Sequence, residues 1–329
     1  MTLSRILVVK LSSLGDVVHA LPVAGALRRR FPHCHLTWLA GSAAADVARM
    51  CGHVDRVVTW NPGKRPRLPL VADLRSARPQ VALDVQGVAR TTWLTWLSGA
   101  RWRIGFRSWQ EGAFALCNLR VIPPRTDIHA VDAYLEFARF LGADGEEADF
   151  GLRVPAEARE RAIEIVAAPA DEPTVALLPG TRWPTKKWPA EHFAALAVAL
   201  GGLGVRCVVL GSREDREAGE TISAAAPDSV RDLTGRTSLA QSAAVIAECA
   251  LAVGNDSGPM HLSAALGVPV IGLFGPTDPV RTGPYGAGHV VLRAPVPCGG
   301  CRRRRCRIPC MGWLSPEGVL EEVRRRLGV

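Results

Sequence analysis

The segment Gly254-Asn255-Asp256-Ser257-Gly258-Pro259-Met260-His261 carries the clearest chemical signature in the chain. Ser257 is suited to cap a helix and Pro259 to occupy its first position. The free N–H groups of such a helix start, with the helix dipole behind them, attract anions. Two phosphates would rest there, and Gly258 lets a ligand come close to the backbone. Capping alone explains the serine and the proline. It leaves Asp256 and His261 unexplained, so the segment reads as a binding site rather than a bare helix start.

Further segments place related groups. Pro179-Gly180-Thr181-Arg182-Trp183-Pro184-Thr185-Lys186-Lys187 sets two adjacent lysines behind a glycine turn. That suits phosphate oxygens, although lysines on a solvated loop need no ligand to explain them. Ser12-Ser13-Leu14-Gly15-Asp16 puts a carboxylate at a helix start, where it would serve as an N-cap or as a reactive group; His19, three residues on, shares its helical face. Asp84-Val85-Gln86-Gly87 has the composition of a strand-ending turn and equally presents polar groups at a sheet edge. Phe274-Gly275-Pro276-Thr277-Asp278-Pro279 either shapes the same edge or reverses the chain.

Each of these segments follows a predicted strand. Strand-like runs at 5–11, 35–40, 54–60, 81–85 and 101–106 alternate with helical patterns at 17–31, 43–50, 68–78, 90–98 and 130–141, the βαβ rhythm of a parallel sheet. From 142 to 173 the composition turns to Ala, Glu, Asp and Pro, with one helical stretch at 156–167. The rhythm then restarts, with strands at 174–178, 205–210, 230–233, 251–254 and 268–274 and helices at 191–203, 214–225, 239–247 and 258–266. A last helix covers 315–327. At 329 residues the chain is long enough for two ordinary domains. The expected fold is α/β, with Rossmann-like doubly wound domains at 1–150 and 170–329 joined by 151–169. Ligands of such sheets bind at the carboxyl ends of the strands, where these segments fall. No GxxxxGKS/T or GxGxxG motif follows a strand, and HExxH and GxSxG are absent, so ATPase and dehydrogenase readings lose their signatures.

The formal net charge is +9, but Arg302, Arg303, Arg304, Arg305 and Arg307 alone supply five positive charges. The modest excess elsewhere fits an anionic substrate or an anionic membrane surface as well as a nucleic-acid groove, which should show a basic stripe with stacking aromatics. The same stretch holds four of the nine cysteines, Cys298, Cys301, Cys306 and Cys310, spaced C-x2-C-x4-C-x3-C. They would form either a structural zinc knuckle or a loop of reduced thiols. No run has the form of a signal peptide, and no apolar stretch approaches the roughly 20 residues of a membrane span. A soluble cytoplasmic protein with mostly reduced thiols is expected.

The run Lys10-Leu11-Ser12-Ser13-Leu14-Gly15-Asp16-Val17-Val18-His19-Ala20-Leu21-Pro22 resembles the opening motif of lipopolysaccharide heptosyltransferases, glycosyltransferase family 9. Residues 254–265, with Asp256, Ser257, Gly258 and His261, resemble that family's donor-site motif. Lys186-Lys187-Trp188-Pro189 and the segment from Phe274 to Pro279 also match, in order and spacing. The resemblance implies a GT-B architecture, with an acceptor-binding domain and a nucleotide-sugar-binding domain facing a central cleft. It implies an inverting, metal-independent transfer that needs no cofactor.

The likeness is greatest to the heptosyltransferase I members, which move heptose from ADP-L-glycero-D-manno-heptose to a Kdo-lipid A type acceptor of the lipopolysaccharide core. By this resemblance Asp16 is the general base. Thr181, Lys186, Asp256, Ser257, Gly258 and His261 hold the donor, and Glu214 or Glu217 is the ribose-binding acid. Ser13, Gly15, His19, Gln86, Lys64 and Arg103 are the acceptor-side candidates, with Arg65, Arg67, Arg90, Arg101 and Arg107 as further cations for an anionic acceptor. The implied partners are ADP-heptose, the anionic lipid A/Kdo acceptor and, by peripheral contact, the inner leaflet of the inner membrane; no nucleic acid is expected. Two features depart from heptosyltransferase I: Ser257 stands where it carries Thr, and the cysteine stretch is more like that of other members. The alternatives are a member using another nucleotide sugar or acceptor, an epimerase acting on a nucleotide sugar, and a nucleotide- or nucleic-acid-binding module worked by the Arg/Cys stretch.

Overall fold

Runs of apolar, often β-branched residues pair as parallel strands whose two faces are both covered by helices, which is why they read as continuous rather than alternating. The computed structural model describes residues 3–61, 68–106, 116–125, 127–144, 147–166 and 172–329. It divides into two units, Met1–Arg153 and Val154–Val329.

In the first unit the order is β1 (Arg5–Val9), α1 (Leu14–Arg30), β2 (His35–Gly41), α2 (Ala45–Met50), β3 (Arg56–Trp60), α3 (Leu68–Ser76), β4 (Val81–Asp84), α4 (Ala89–Leu97), β5 (Trp102–Phe106), β6 (Leu119–Val121) and α5 (Ala130–Phe140). The strands form one parallel sheet in the order β3-β2-β1-β4-β5-β6. Val9 at the end of β1 stands opposite Leu39 on one side and Asp84 on the other. Leu7, Val9, Leu39, Leu74, Ala82 and Leu94 form a core on one face of this sheet.

The second unit runs α6 (Ala156–Val166), β7 (Thr174–Leu178), α7 (Ala190–Gly201), β8 (Arg206–Val209), α8 (Arg216–Ala225), β9 (Val230–Asp232), α9 (Leu239–Ala247), β10 (Leu251–Asn255), α10 (Gly258–Ala265), β11 (Val270–Phe274), α11 (Pro279–Thr282), β12 (Val290–Arg293) and α12 (Pro316–Leu327). Short 3-10 turns lie at Pro184–Lys186, Arg213–Asp215 and Cys310–Trp313. Its sheet, again parallel, has the order β12-β11-β10-β7-β8-β9. Counted from each unit's own first strand, both sheets have the 3-2-1-4-5-6 order of a Rossmann fold. Strand order reverses between β1 and β4 and between β7 and β10, and there the diverging loops leave a crevice at the carboxyl edge.

Several expected boundaries shift. The division falls between Arg153 and Val154, and the helix expected within the connection, α6, belongs to the second unit, packing Ala158, Ala162 and Ile165 into its core beside α9. Those positions lie at i, i+4 and i+7, so one apolar face commits the helix. The edge strands β6 and β12 were not expected; both are short and incompletely buried, which leaves little apolar signal to read. α1 begins at Leu14 rather than at 17, because Ser13 takes the cap position.

Candidate functional site

At the reversal point of the second sheet the loops after β7 and β10 meet on Asp256. Thr181 Oγ1 and Lys186 Nζ each donate to the Asp256 carbonyl at 3.1 Å, and Lys186 Nζ donates again to Asp256 Oδ2 at 2.8 Å. His261 Nε2 lies 3.2 Å from Asp256 Oδ1. The Asp256 side chain is 5% exposed. Burial pushes its pKa up, but the hydrogen bond and charge of His261, joined by Lys186, outweigh burial and hold the carboxyl well below the usual range. It is therefore a fixed negative charge that positions two side chains. Asn255, fully buried, ties the same loops together: its Oδ1 accepts from the Trp188 N–H at 3.0 Å and its Nδ2 donates to the Pro179 carbonyl at 2.7 Å.

Ser257 occupies the N-cap of α10 in extended backbone, but its hydroxyl makes no cap bond. Gly258 is the first residue of the helix and Pro259 the second, which corrects the expected placement by one. A capping hydroxyl accepts from the second or third helical N–H, and Pro259 has none to give. Ser257 Oγ is buried without a hydrogen-bond partner in the chain, and so is Thr277 Oγ1, beyond the end of the adjacent strand β11. Buried hydroxyls are ordinarily satisfied, so these two mark an edge that a polar ligand would complete. Asp278, expected either to shape this edge or to reverse the chain, caps α11 by accepting from the Val280 N–H at 3.1 Å.

The arginine–cysteine stretch folds onto this edge. Gly300 N–H donates to the Gly275 carbonyl at 3.0 Å, Arg302 N–H to the Pro276 carbonyl at 2.6 Å, and Thr185 Oγ1 to the Arg303 carbonyl at 2.8 Å. Lys186 Nζ and the Arg304 guanidinium each lie 4.8 Å from the Trp183 ring centroid. Sequence reasoning quoted Trp183 and Arg304 without connecting them. It also missed Asp215. A Cβ on Gly180 would come within 2.5 Å of Asp215 Oδ2, so this carboxylate, rather than that of Glu214 or Glu217, is seen packed against the β7 loop. Asp215 Oδ2 accepts from Ser212 N–H at 2.8 Å and Ser212 Oγ at 2.7 Å, an S-x-x-D capping pattern that was legible in the sequence. Glu214 and Glu217 are exposed.

Among the described residues no group of three or more His, Cys, Asp or Glu side chains is placed to hold a metal ion. Cys298, Cys301 and Cys306 are exposed, whereas Cys310 is buried with Met311 in the core beneath α12. Backbone bonds to the β11 edge hold one end of the stretch and core packing holds the other.

In the first unit the crevice lies between β1 and β4. Gln86 Oε1 accepts from the N–H groups of Leu11 and Ser12 at 3.2 and 3.3 Å, so it shapes the loop after β1. Asp16 is the third residue of α1, and its Oδ2 accepts from both Ser13 N–H and Ser13 Oγ at 2.7 Å. Asp16 therefore closes a capping box on Ser13 instead of being the cap itself. Its Oδ1 takes no part in either bond, and the residue is half-buried. Gly15 is buried within the first turn.

Other candidates have structural employment. Asp84 is buried and accepts from Gly87 N–H at 3.0 Å and Thr92 Oγ1 at 2.6 Å; burial raises its pKa, opposed by those bonds. This segment is the strand-ending turn, with Gly87 at φ +71°. His19 is buried edge-on against His129, with ring centroids 5.1 Å apart. The Arg103 guanidinium donates to the Leu116 and Ala100 carbonyls at 2.8 and 2.9 Å. Lys10 was passed over as a site residue, yet it is a buried cation whose Nζ donates to Tyr134 Oη at 2.8 Å. Lys64, Arg65, Arg67 and Arg107 lie outside the described residues.

Comparison with known proteins adds to this geometry. Residues 67–311 match the family described as glycosyltransferase family 9 (heptosyltransferase). Lipopolysaccharide heptosyltransferase 1 of Pseudomonas aeruginosa is 31% identical over 322 residues, covering 92% of this chain and 87% of that protein. The structure of E. coli ADP-heptose lps heptosyltransferase II superposes with a TM-score of 0.82 at 26% identity, covering 98% of each chain. That of E. coli heptosyltransferase WaaC with ADP-2-deoxy-2-fluoro heptose gives 0.75 at 25% identity, covering 98% of this chain and 99% of the other.

Proposed function

Since the chain belongs to glycosyltransferase family 9, the heptosyltransferases, we propose that it transfers heptose from ADP-L-glycero-D-manno-heptose to a Kdo-lipid A type acceptor in building the lipopolysaccharide core. The observation that carries the donor assignment is the Lys186–Asp256–His261 cluster beside the uncapped start of α10. The E. coli relative held with ADP-2-deoxy-2-fluoro heptose supports the same class of donor.

In this reading the diphosphate rests on the first N–H groups of α10 and on Ser257 Oγ, with Lys186 and Thr181 beside it and Gly258 allowing close approach. The negative charge that grows on departing ADP is met by a lysine already fixed by Asp256 and by the helix start. These groups supply the positive charge for which other transferases use a metal. Asp215 joins Glu214 and Glu217 as a candidate partner of the ribose hydroxyls.

Asp16 is the proposed general base. The acceptor oxygen forms its bond to the anomeric carbon from the face opposite ADP, the old C–O bond breaks with its electron pair leaving on the diphosphate, and the hydroxyl proton passes to Asp16. Inversion follows from that geometry. A peripheral enzyme working at the cytoplasmic face of the inner membrane is part of this reading; no helix among the described residues is long and apolar enough to cross a membrane.

Mass spectrometry of transfer from ADP-, GDP-, UDP- and dTDP-sugars to Kdo-lipid A tests the assignment. Transfer from ADP-heptose alone is expected; preference for another donor, or epimerisation of donor without acceptor, would refute it. Asp16→Asn, whose amide oxygen still accepts from Ser13, should slow turnover by about 100- to 10,000-fold with an unchanged melting temperature. Near wild-type turnover would remove Asp16 from the mechanism.

A further inference from the structure

We propose that the outward face of α4 is a docking surface for an anionic phospholipid bilayer. The helix buries Thr91, Thr92, Leu94 and Thr95 and turns Arg90, Trp93 and Trp96 outward. The two tryptophans, one turn apart, are 43% and 47% exposed. Leu94 packs into the core and Thr92 holds Asp84, so folding of this unit uses the opposite face of the helix. Indole is an apolar plate with one N–H donor, a combination that favours the headgroup region of a bilayer over either water or hydrocarbon.

The sequence around these indoles carries charge of one sign. Residues 85–106 contain Arg90, Arg101 and Arg103 and no Asp or Glu. Arg103 is turned to backbone carbonyls, but Arg90 and Arg101 are exposed. α3, packed against α4, brings Arg75 to its C-terminal end, where Nε donates to the Leu97 carbonyl at 3.1 Å. The single carboxylate of α3, Asp73, is engaged by Arg56 at 3.3 Å. Aromatic anchors flanked by arginine complement anionic headgroups, and each cation near the surface strengthens partition by about fivefold. A nucleic acid would meet the same charge, but the paired indoles favour the headgroup region of a bilayer.

This proposal rests on the lipid-anchored acceptor proposed above, since such an acceptor must be met at a bilayer, yet it can be tested without any acceptor. The full chain is sedimented with vesicles of an equal mixture of phosphatidylcholine and phosphatidylglycerol and with vesicles of phosphatidylcholine alone. Binding to the anionic vesicles only is expected. Trp93→Ser with Trp96→Ser should weaken it by about tenfold or more, and Arg90→Glu, a fully surface change, should weaken it as well. The double tryptophan variant should keep wild-type transfer to a deacylated, water-soluble acceptor while losing transfer to the same acceptor embedded in vesicles.

The docking surface is overturned if wild-type protein ignores anionic vesicles or if the variants bind them as wild type does. It is equally overturned if the face proves to join two copies in solution, or binds an oligonucleotide as well as it binds lipid. If no protein transfers heptose to the soluble acceptor, the functional reading fails, and the vesicle measurement still decides the surface. Should the double variant not fold, Arg90→Glu and each single tryptophan variant carry the test.

Discussion

Asp256 shows what a single buried charge does in this protein. Its carboxylate is held by Lys186 and His261, and its pKa in the folded chain lies below the roughly 3.9 of an unfolded aspartate. A depressed acid favours the folded state above its unfolded pKa and loses that contribution as pH falls through the folded value. The urea midpoint of the wild type should therefore drop more steeply below about pH 4 than that of Asp256→Asn. At pH 7 the substitution should cost about 3 kcal/mol, because Lys186 would face a neutral amide in a largely buried site. An unchanged midpoint at pH 7, measured by urea titration, would show that the cluster does not stabilise the fold. Asp16 is a different case: its placement at a helix start was readable, but its position as the third helical residue, holding Ser13 through one oxygen, was decided by where the helix begins.

At the scale of elements, the site is a matter of which loops share an edge. α10 is short and uncapped by its own serine, and the segment from Cys298 onward lies over the β7 loop through Thr185, Trp183 and Arg304. That contact places Arg304 in the neighbourhood of Lys186, whose ammonium shares the Trp183 ring. Arg304→Ala should weaken ADP binding about three- to tenfold in isothermal titration while leaving the melting temperature in place. Equal affinity in the two proteins would confine Arg304 to a surface role. None of this was legible beforehand. Arginine runs look alike in sequence whether they are solvated or packed against a distant tryptophan, whereas the helix start at Ser257 announces itself by local residue order.

For the molecule as a whole, the nine cysteines divide by burial. Six are buried, and burial pushes Cys51 up to about 11 and Cys117, Cys207 and Cys249 up to about 12, while Cys34 and Cys310 are also raised. The thiolate is the reacting form, so buried thiols of high pKa should be inert. Titration of the native protein with Ellman's reagent should give three fast thiols, those of Cys298, Cys301 and Cys306, and nine after denaturation. Fewer than three fast thiols, restored by a chelator, would instead show that a metal shields the stretch.

Apart from the short edge strands β6 and β12, the strand and helix rhythm, the two doubly wound sheets and the loops at their carboxyl ends were readable, because apolar periodicity and helix-start chemistry are local properties of the chain. The pairing of Lys186 with Asp256, the contact of Gly180 with Asp215 and the stacking of Arg304 on Trp183 were decided only by the tertiary structure. The physical reason lies in strand order: β10 sits beside β7, with β8 on the other side, so residues distant in sequence meet at one edge. The same order sets β1 beside β4 and lets Gln86 shape the loop that carries Asp16. Sequence named the loops; only the sheet determined which side chains within them touch.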